Sequence, residues 1–155
     1  MSEDKKGPGV IIPPPWVYII WMVVGGIIQK YYPIDMGIPF DFQYIGLGIL
    51  LIEMFFIIYS FRVFKKAETN IMPWKPTKNI ITDGIYGWSR NPIYLGFNLL
   101  PIGMGIFFDN VWVLLSFVPA TFTLYHVAIK KEEAYLEEKF GDEYLGYKNK
   151  VRRWI

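Results

Sequence analysis

The chain has 155 residues, of which 53% are apolar, 19% aromatic and only 19% charged, against roughly 25% charged in soluble domains. This composition excludes a disordered chain, and zero cysteines exclude a disulfide scaffold, a thiolate metal site and a cysteine nucleophile. With a single histidine as well, no metal site is predicted. The 16 bases and 14 acids nearly cancel, and acids crowd the most basic segment, so no nucleic-acid partner is predicted. The class that remains is an integral membrane protein in a lipid bilayer.

Four charge-poor windows follow one another along the chain and predict about four transmembrane helices. A helix needs about 20 mainly apolar residues to cross roughly 30 Å of hydrocarbon. Prolines open the first window, so its helix is expected to begin near Pro15 or Trp16, and the second window contains one charge, Glu53. The windows are residues 10–29, 42–61, 91–108 and 110–129.

Lysine and arginine are distributed unevenly between the connecting segments, and this predicts the orientation in the membrane. The loop 62–91 holds six bases and the tail 130–155 holds seven, whereas the connection 31–41 holds two acids and no base. Lysine and arginine mark the cytoplasmic side. We therefore expect a multi-pass protein of an inner or plasma membrane, with both termini and the middle loop in the cytosol.

The tail after residue 129 is expected to be an amphipathic helical segment in the cytosol. Gly141 is expected to end a first helix and Asp142 to cap a second. No run of alternating strands is found, so a nucleotide-like ligand must be held without a Rossmann sheet. The apolar stripe of this segment consists of Leu136, Phe140, Tyr144, Tyr147 and Val151.

The predicted fold is therefore a single all-α membrane domain, residues 1–155. Its parts are two N-terminal spans, a cytosolic loop, a helical hairpin and a tail that completes a ligand pocket. Their bounds are residues 1–61, 62–91, 92–129 and 130–155.

Two ionisable residues and two short segments are candidates for chemistry. Glu53 lies near the centre of its span, where a charge costs several kcal/mol and usually faces protein or water, so it is either a site residue or a protonated structural hydrogen bonder. His126, about one turn before the end of the fourth span, is either a general base or a structural residue. The run from Lys130 to Glu133 is by itself typical of a solvated helix face. The segment 90–92 is by itself typical of a cap before a helix that starts with proline.

Two segments taken together resemble a known family. Residues 82–96, TDGIYGWSRNPIYLG, resemble the motif T-x-G-x-Y-x-x-x-R-H/N-P-x-Y-x-G of the isoprenylcysteine carboxyl methyltransferase and phospholipid methyltransferase superfamily. Residues 132–147, EEAYLEEKFGDEYLGY, resemble its second motif, E-E-x-x-L-x-x-x-F-G-x-x-Y-x-x-Y. The resemblance covers residues 78–154, about half of the chain, and includes the helical hairpin between the motifs.

The resemblance implies an S-adenosylmethionine-dependent methyltransferase that releases S-adenosylhomocysteine. Its acceptor is a lipophilic or small molecule that bears a carboxylate, amine or thiol. Glu132 is then expected to accept from the methionyl ammonium and Arg90 to meet the carboxylate, and the rings of Tyr86 and Tyr94 to face the sulfonium. The candidate catalytic residues are Arg90 and Asn91, from the first motif, and Glu53, from its depth in the second span. The implied cofactor-binding residues are Lys78, Asn79, Ile80, Ile81, Tyr86, Asn91, Pro92, Ile93, Tyr94 and Glu132.

Two positions depart from the prenylcysteine enzymes of this superfamily. Asn91 stands where those enzymes have histidine, and Ala128 where they carry an arginine that contacts the substrate. Both differences concern the acceptor and leave the cofactor set intact.

Two other functions are compatible with the sequence. One is an NADPH-dependent membrane reductase of related fold, against which the chain is short and the pair Glu132 and Glu133 would repel a nearby nucleotide phosphate. The other is a non-catalytic membrane scaffold that has kept the fold.

Overall fold

The computed structural model describes residues 7–155, and every regular element in that range is helical, which confirms the all-α class. Four helices precede the tail helix, and a short 3-10 turn, Gly84–Gly87, lies in the middle loop. The fourth helix is interrupted by a turn residue, Ser116, and contains a π-helical turn, Tyr125–Ile129. The helices are α1 (Pro14–Tyr31), α2 (Phe40–Lys66), α3 (Pro92–Phe107), α4 (Val111–Phe140) and α5 (Asp142–Lys150).

Proline and asparagine set where the helices begin. α1 starts at Pro14 and α3 at Pro92, positions where the missing proline N–H has no helical partner to lose. α4 follows Asn110, whose side-chain oxygen accepts from the backbone N–H of Val113 at 2.9 Å. The predicted start of the first helix was therefore late by one residue.

Two of the helices, α2 and α4, are each long and apolar enough to cross a bilayer. α3 has 16 residues, which corresponds to a length of about 24 Å and is shorter than the roughly 30 Å of hydrocarbon. α1 has 18 residues and is not among the two helices that are long and apolar enough. The count of four spans therefore stays a prediction.

Glycines allow the helix backbones to touch. α2 packs most extensively against α3, and a methyl group added at Gly46 of α2 would fall against the carbonyl oxygen of Gly103. Between α3 and α4, a Cβ at Gly105 would lie 2.5 Å from the Cα of Leu114. Small residues at such contacts are typical of membrane helices, which gain stability from close packing rather than from a difference in hydrophobicity.

The connections gather at two opposite ends of the helices. At one end, the indole N–H of Trp112 donates to the carbonyl of Tyr32 at 2.7 Å. The Asp109 carboxylate accepts there from the backbone N–H groups of Met36 at 3.0 Å and Ile38 at 3.3 Å. At the other end, the middle loop meets the tail, because the backbone N–H of Arg90 donates to the carbonyl of Arg152 at 3.0 Å. The base-rich segments thus share one end.

The tail is helical on both sides of Gly141, as predicted. Gly141 has a φ of 51°, which favours glycine, and it ends α4 while serving as the N-cap of α5. The prediction that Asp142 caps the second helix was wrong: Asp142 is already the first residue of α5, and no side-chain cap hydrogen bond is made. One glycine turns the chain so tightly that no separate capping residue is needed.

Candidate functional site

A cavity of about 840 Å3, including its open mouth, lies where the middle loop, the start of α3 and the tail helices meet. The cavity brings together most of the residues that the sequence placed in a site. Those that line it are Asn79, Ile80, Ile81, Tyr86, Arg90, Asn91, Ile93, Tyr94 and Glu132.

Three predicted site residues do not line the cavity. Lys78 is exposed, and its backbone N–H donates to the Thr69 hydroxyl at 2.8 Å. Pro92 is buried at the first turn of α3, behind the cavity wall. Glu53 is 8% exposed and lies on the face of α2 that packs against Gly96 of α3.

A short hydrogen bond joins the two sequence motifs at the cavity wall. The buried Tyr94 hydroxyl, on the first turn of α3, donates to Glu132 Oε1 at 2.6 Å. Hydrogen bonds to a carboxylate are stronger than those between neutral groups. Tyr94 therefore fixes the orientation of the Glu132 carboxylate in the cavity.

Glu133, the next residue, lies between two arginines. The Arg90 Nη2 is 3.3 Å from Glu133 Oε1, and Arg153 donates through Nε and Nη2 to the two carboxylate oxygens at 2.8 Å each. The Glu133 side chain is only 13% exposed. The solvated face predicted for this charge run is therefore wrong at Glu133, because the end of the chain folds back over it.

The chain's last residues are tied to the Arg90 segment by their backbone. The carbonyl of Arg153 accepts from the Ser89 hydroxyl and from the Asn91 side-chain amide, each at 3.1 Å. The carbonyl of Arg152 accepts from the backbone N–H of Arg90. Asn91 thus lines the cavity while its amide holds the tail in place.

Tyrosines from α5 and the middle loop form a second wall. The Tyr147 hydroxyl donates to the Tyr86 carbonyl at 2.7 Å. The Arg90 Nη1 donates to the Tyr144 hydroxyl at 3.3 Å, and the edge of the Phe64 ring meets Tyr86 at a centroid distance of 5.7 Å. The wall is therefore aromatic and firmly anchored.

Burial governs the titration of these groups. It raises the pKa of Tyr86 above its usual range, with the nearby Ser60 hydroxyl opposing part of that shift. Burial also raises the pKa of Tyr147, and it raises the pKa of Tyr144 to about 12, with Glu133 adding to that shift. The tyrosines therefore stay neutral. Hydrogen bonds to Glu133 raise the pKa of Arg153, which stays charged.

Sequence reasoning missed residues 70–73 and Thr77 of the middle loop, and the role of Arg153. Loop side chains have no periodic pattern, and Arg153 looked like one base among several in the tail, so no local signal marked them. Leu136, Tyr144 and Tyr147 were interpreted as part of an apolar stripe and as positions of the second motif, but not as lining residues. The additional lining residues are Pro8, Phe64, Asn70, Ile71, Met72, Pro73, Thr77, Glu133, Leu136, Tyr144 and Tyr147.

The two positions discussed on α4 lie away from the cavity lining. His126 is exposed, and its ring meets those of Phe122 and Tyr125 at centroid distances of 4.6 and 5.0 Å. Ala128 is completely buried in the helix core. The π-helical turn Tyr125–Ile129 contains both, directly before the segment that carries Glu132 and Glu133.

Comparison with known proteins shows similarity to methyltransferases. A family model described as phospholipid methyltransferase matches residues 42–143, more than half of the chain. The protein-S-isoprenylcysteine O-methyltransferase of Saccharomyces cerevisiae is 40% identical over 72 residues, 46% of this chain and 30% of its own length. The Schizosaccharomyces pombe protein of the same name is 30% identical over 112 residues, 71% of this chain and 48% of its own length. An uncharacterized protein of Haemophilus influenzae is 38% identical over 63 residues, 41% of this chain and 100% of its own length.

The chain belongs to the phospholipid methyltransferase family, and the superfamily membership predicted from the two motifs is thereby confirmed. The match spans less than half the length of the two fungal O-methyltransferases.

Proposed function

We propose that this protein is a membrane methyltransferase that binds S-adenosylmethionine at the cytosolic cavity and releases S-adenosylhomocysteine. One observation carries the proposal. The Glu132 carboxylate and the Arg90 guanidinium line the same cavity, and both belong to segments that match motifs of the methyltransferase family.

The charges of the cavity suit the amino-acid end of this cofactor, which carries an ammonium and a carboxylate. Glu132, oriented by Tyr94, offers an acceptor for the ammonium. The Nε of Arg90 is buried and has no hydrogen-bond partner among residues 7–155. A buried donor without a partner is costly, and a ligand carboxylate would satisfy it.

Tyr86 and Tyr94 supply the aromatic rings that the sulfonium favours. Asn79, Ile80 and Ile81 contribute a mixed polar and apolar wall for the rest of the cofactor. Asn91 and Ile93 complete the proposed contacts from the start of α3. In this proposal Lys78 and Pro92 do not contact the cofactor directly. They position the loop and the start of α3 behind the lining residues.

When bound, S-adenosylmethionine supplies a methyl group that is already activated for in-line displacement. The task of the protein is then to align acceptor and cofactor, and positioning alone provides effective molarities of about 10⁵ M or more. A carboxylate acceptor needs no general base, whereas an amine must lose a proton. An amine acceptor has three candidate bases, Glu53, His126 and Glu133. His126 is exposed and Glu133 is held by two arginines, whereas Glu53 is buried where α2 packs against α3, so Glu53 is retained.

The acceptor is proposed to be lipophilic and to reach the site from the bilayer. The fungal relatives are named for S-isoprenylcysteine. Asn91 and Ala128 replace the histidine and arginine of the prenylcysteine enzymes, so the proposal extends to carboxylates, amines and thiols on a lipid-soluble molecule.

The membrane arrangement is part of the same proposal. All four long helices cross the bilayer, and the single domain 1–155 keeps its termini, middle loop and cavity in the cytosol. The gathering of the basic loop and tail at one end supports this arrangement, because such segments remain on the cytosolic side.

Isothermal titration of the detergent-solubilised protein with S-adenosylhomocysteine and, separately, with NADPH tests the proposal. We expect saturable binding of S-adenosylhomocysteine and none of NADPH. Binding of NADPH alone would indicate a reductase, and binding of neither would indicate a non-catalytic scaffold.

A further inference from the structure

The charges of Arg90, Glu133 and Arg153 do not cancel. Two guanidiniums, from Arg90 and Arg153, share one carboxylate, so the cluster carries a net charge of +1. The side chains of Arg90 and Glu133 are 8% and 13% exposed, and that of Arg153 is 34% exposed. Charges interact strongly where water is largely excluded.

The two arginines differ in what they touch. Arg90 lines the cavity, whereas Arg153 does not. Arg153 contacts Glu133 through two hydrogen bonds, and its guanidinium carbon lies 4.9 Å from the centre of the Tyr125 ring. The Arg153 side chain therefore acts on a ligand in the cavity through Glu133, which lines the cavity, and through Arg90. Its backbone carbonyl also holds Asn91, but a change of side chain keeps that contact.

Arg153 has a clear electrostatic consequence for the site. With Arg90 and Glu133 alone, the pair would be neutral, and the carboxylate would both occupy Arg90 and repel an approaching anion. Because Arg153 engages both Glu133 oxygens at 2.8 Å, while Arg90 reaches one of them at 3.3 Å, it satisfies most of the carboxylate's bonding capacity.

We propose that Arg153 is a positioning residue that keeps the Arg90 guanidinium available for the carboxylate of the bound cofactor. The inference rests on the proposed function, since it takes the ligand to be S-adenosylmethionine or S-adenosylhomocysteine. The fork of an arginine is needed for this contact, because a lysine cannot hold both carboxylate oxygens in one plane.

Binding of two ligands to a set of variants tests this role. The ligands are S-adenosylhomocysteine and its decarboxylated analogue, which lacks only the carboxylate. The variants are Arg153→Gln, Arg153→Lys and the double variant Glu133→Gln/Arg153→Gln. The control is Lys150→Gln, an exposed tail position with the same change in charge.

Arg153→Gln is expected to weaken S-adenosylhomocysteine binding about tenfold, equivalent to about 1.4 kcal/mol, and to change binding of the decarboxylated analogue by less than about twofold. Arg153→Lys restores part of the loss because it keeps the charge. The double variant binds more tightly than Arg153→Gln, because removing the Glu133 charge returns the cluster to +1. In turnover, KM for S-adenosylmethionine rises while kcat at saturation is kept, as uniform loss of binding requires.

Three results would overturn the role of Arg153. They are unchanged S-adenosylhomocysteine affinity in Arg153→Gln, equal weakening of both ligands, or a double variant no better than the single one. If Arg153→Gln does not stay folded, Arg153→Lys decides. Weaker binding of S-adenosylhomocysteine with unchanged binding of the decarboxylated analogue supports the role, whereas unchanged binding of both ligands or equal weakening of both overturns it. A wild-type protein that binds no S-adenosylhomocysteine would instead refute the proposed function itself.

Discussion

The hydroxyl of Tyr94 lies 2.6 Å from the Oε1 of Glu132, across 38 residues of sequence. This hydrogen bond connects the start of α3 to the polar extension of α4, and it joins the two motifs on which the family resemblance rests. The carboxylate is therefore oriented before any ligand arrives. Such preorganisation lowers the cost of ordering groups on binding.

Replacement of Glu132 with alanine is expected to weaken S-adenosylhomocysteine binding by about 10- to 150-fold. A hydrogen bond to a charged partner contributes roughly 1.5–3 kcal/mol net, and each 1.4 kcal/mol is about tenfold. Titration calorimetry measures the change. Glu138→Ala, an exposed carboxylate on the same helix, is the control and is expected to bind normally. Equal affinity in both variants would remove Glu132 from the cofactor site.

Replacement of Tyr94 with phenylalanine removes the hydroxyl and keeps the ring. The expected loss in S-adenosylhomocysteine affinity is about 2- to 12-fold, because an orienting hydrogen bond contributes roughly 0.5–1.5 kcal/mol. The double variant with Glu132→Ala should show no further loss, since the hydroxyl acts through that carboxylate. Additive losses would mean that Tyr94 contacts the ligand independently.

The glycine contact between α2 and α3 is expected to limit stability. Gly46→Ala forces a methyl group against the backbone of Gly103, and overpacking of this kind costs about 1–3 kcal/mol. The melting temperature in detergent should therefore fall. Gly48→Ala is the matched control on the same helix, because no atom lies within 4 Å of the added carbon. A lower melting temperature for Gly48→Ala than for Gly46→Ala would contradict the helix contact.

Glu53 is expected to act on the acceptor side of the reaction. Because it lies outside the cavity lining, Glu53→Gln should leave S-adenosylhomocysteine affinity within about twofold while lowering turnover with a lipophilic amine. Turnover is measured as transfer of labelled methyl groups to dodecylamine, and dodecanoate, which needs no base, is the control substrate. Unchanged turnover with dodecylamine, together with a lower melting temperature, would assign Glu53 a structural role.

The orientation in the membrane can be tested with single cysteines, since the chain contains none. A cysteine at Asp35 should react with an impermeant reagent in intact cells, and one at Lys66 should react only after the membrane is opened. Asp109 is unsuitable because its carboxylate holds the backbone of Met36 and Ile38. Labelling of Lys66→Cys in intact cells would place the cavity on the outer side of the membrane, away from the cytosolic cofactor.

The candidate site was partly predictable because its two motifs carry local information. Pro92 starts a helix and Gly141 ends one for reasons of backbone geometry, and both effects can be read from neighbouring residues. The role of Arg153 was not predictable, since its partner is Glu133, at a separation of 20 residues and beyond a second helix. Glu133 was misread for the same reason. A charge pattern along a helix gives no information about a chain segment that folds over it.

The composition determined that the chain is apolar. The hydrophobic period and the breaks at proline and glycine determined that it is helical, because both are local properties of the sequence. The order and spacing of the motifs determined the family. Only the tertiary structure decided that Glu132 is oriented by Tyr94, that Glu133 is shared by two arginines and that Glu53 lies outside the cavity lining. These relations depend on how helices approach one another in space, and contacts between distant segments leave no periodic trace in one sequence.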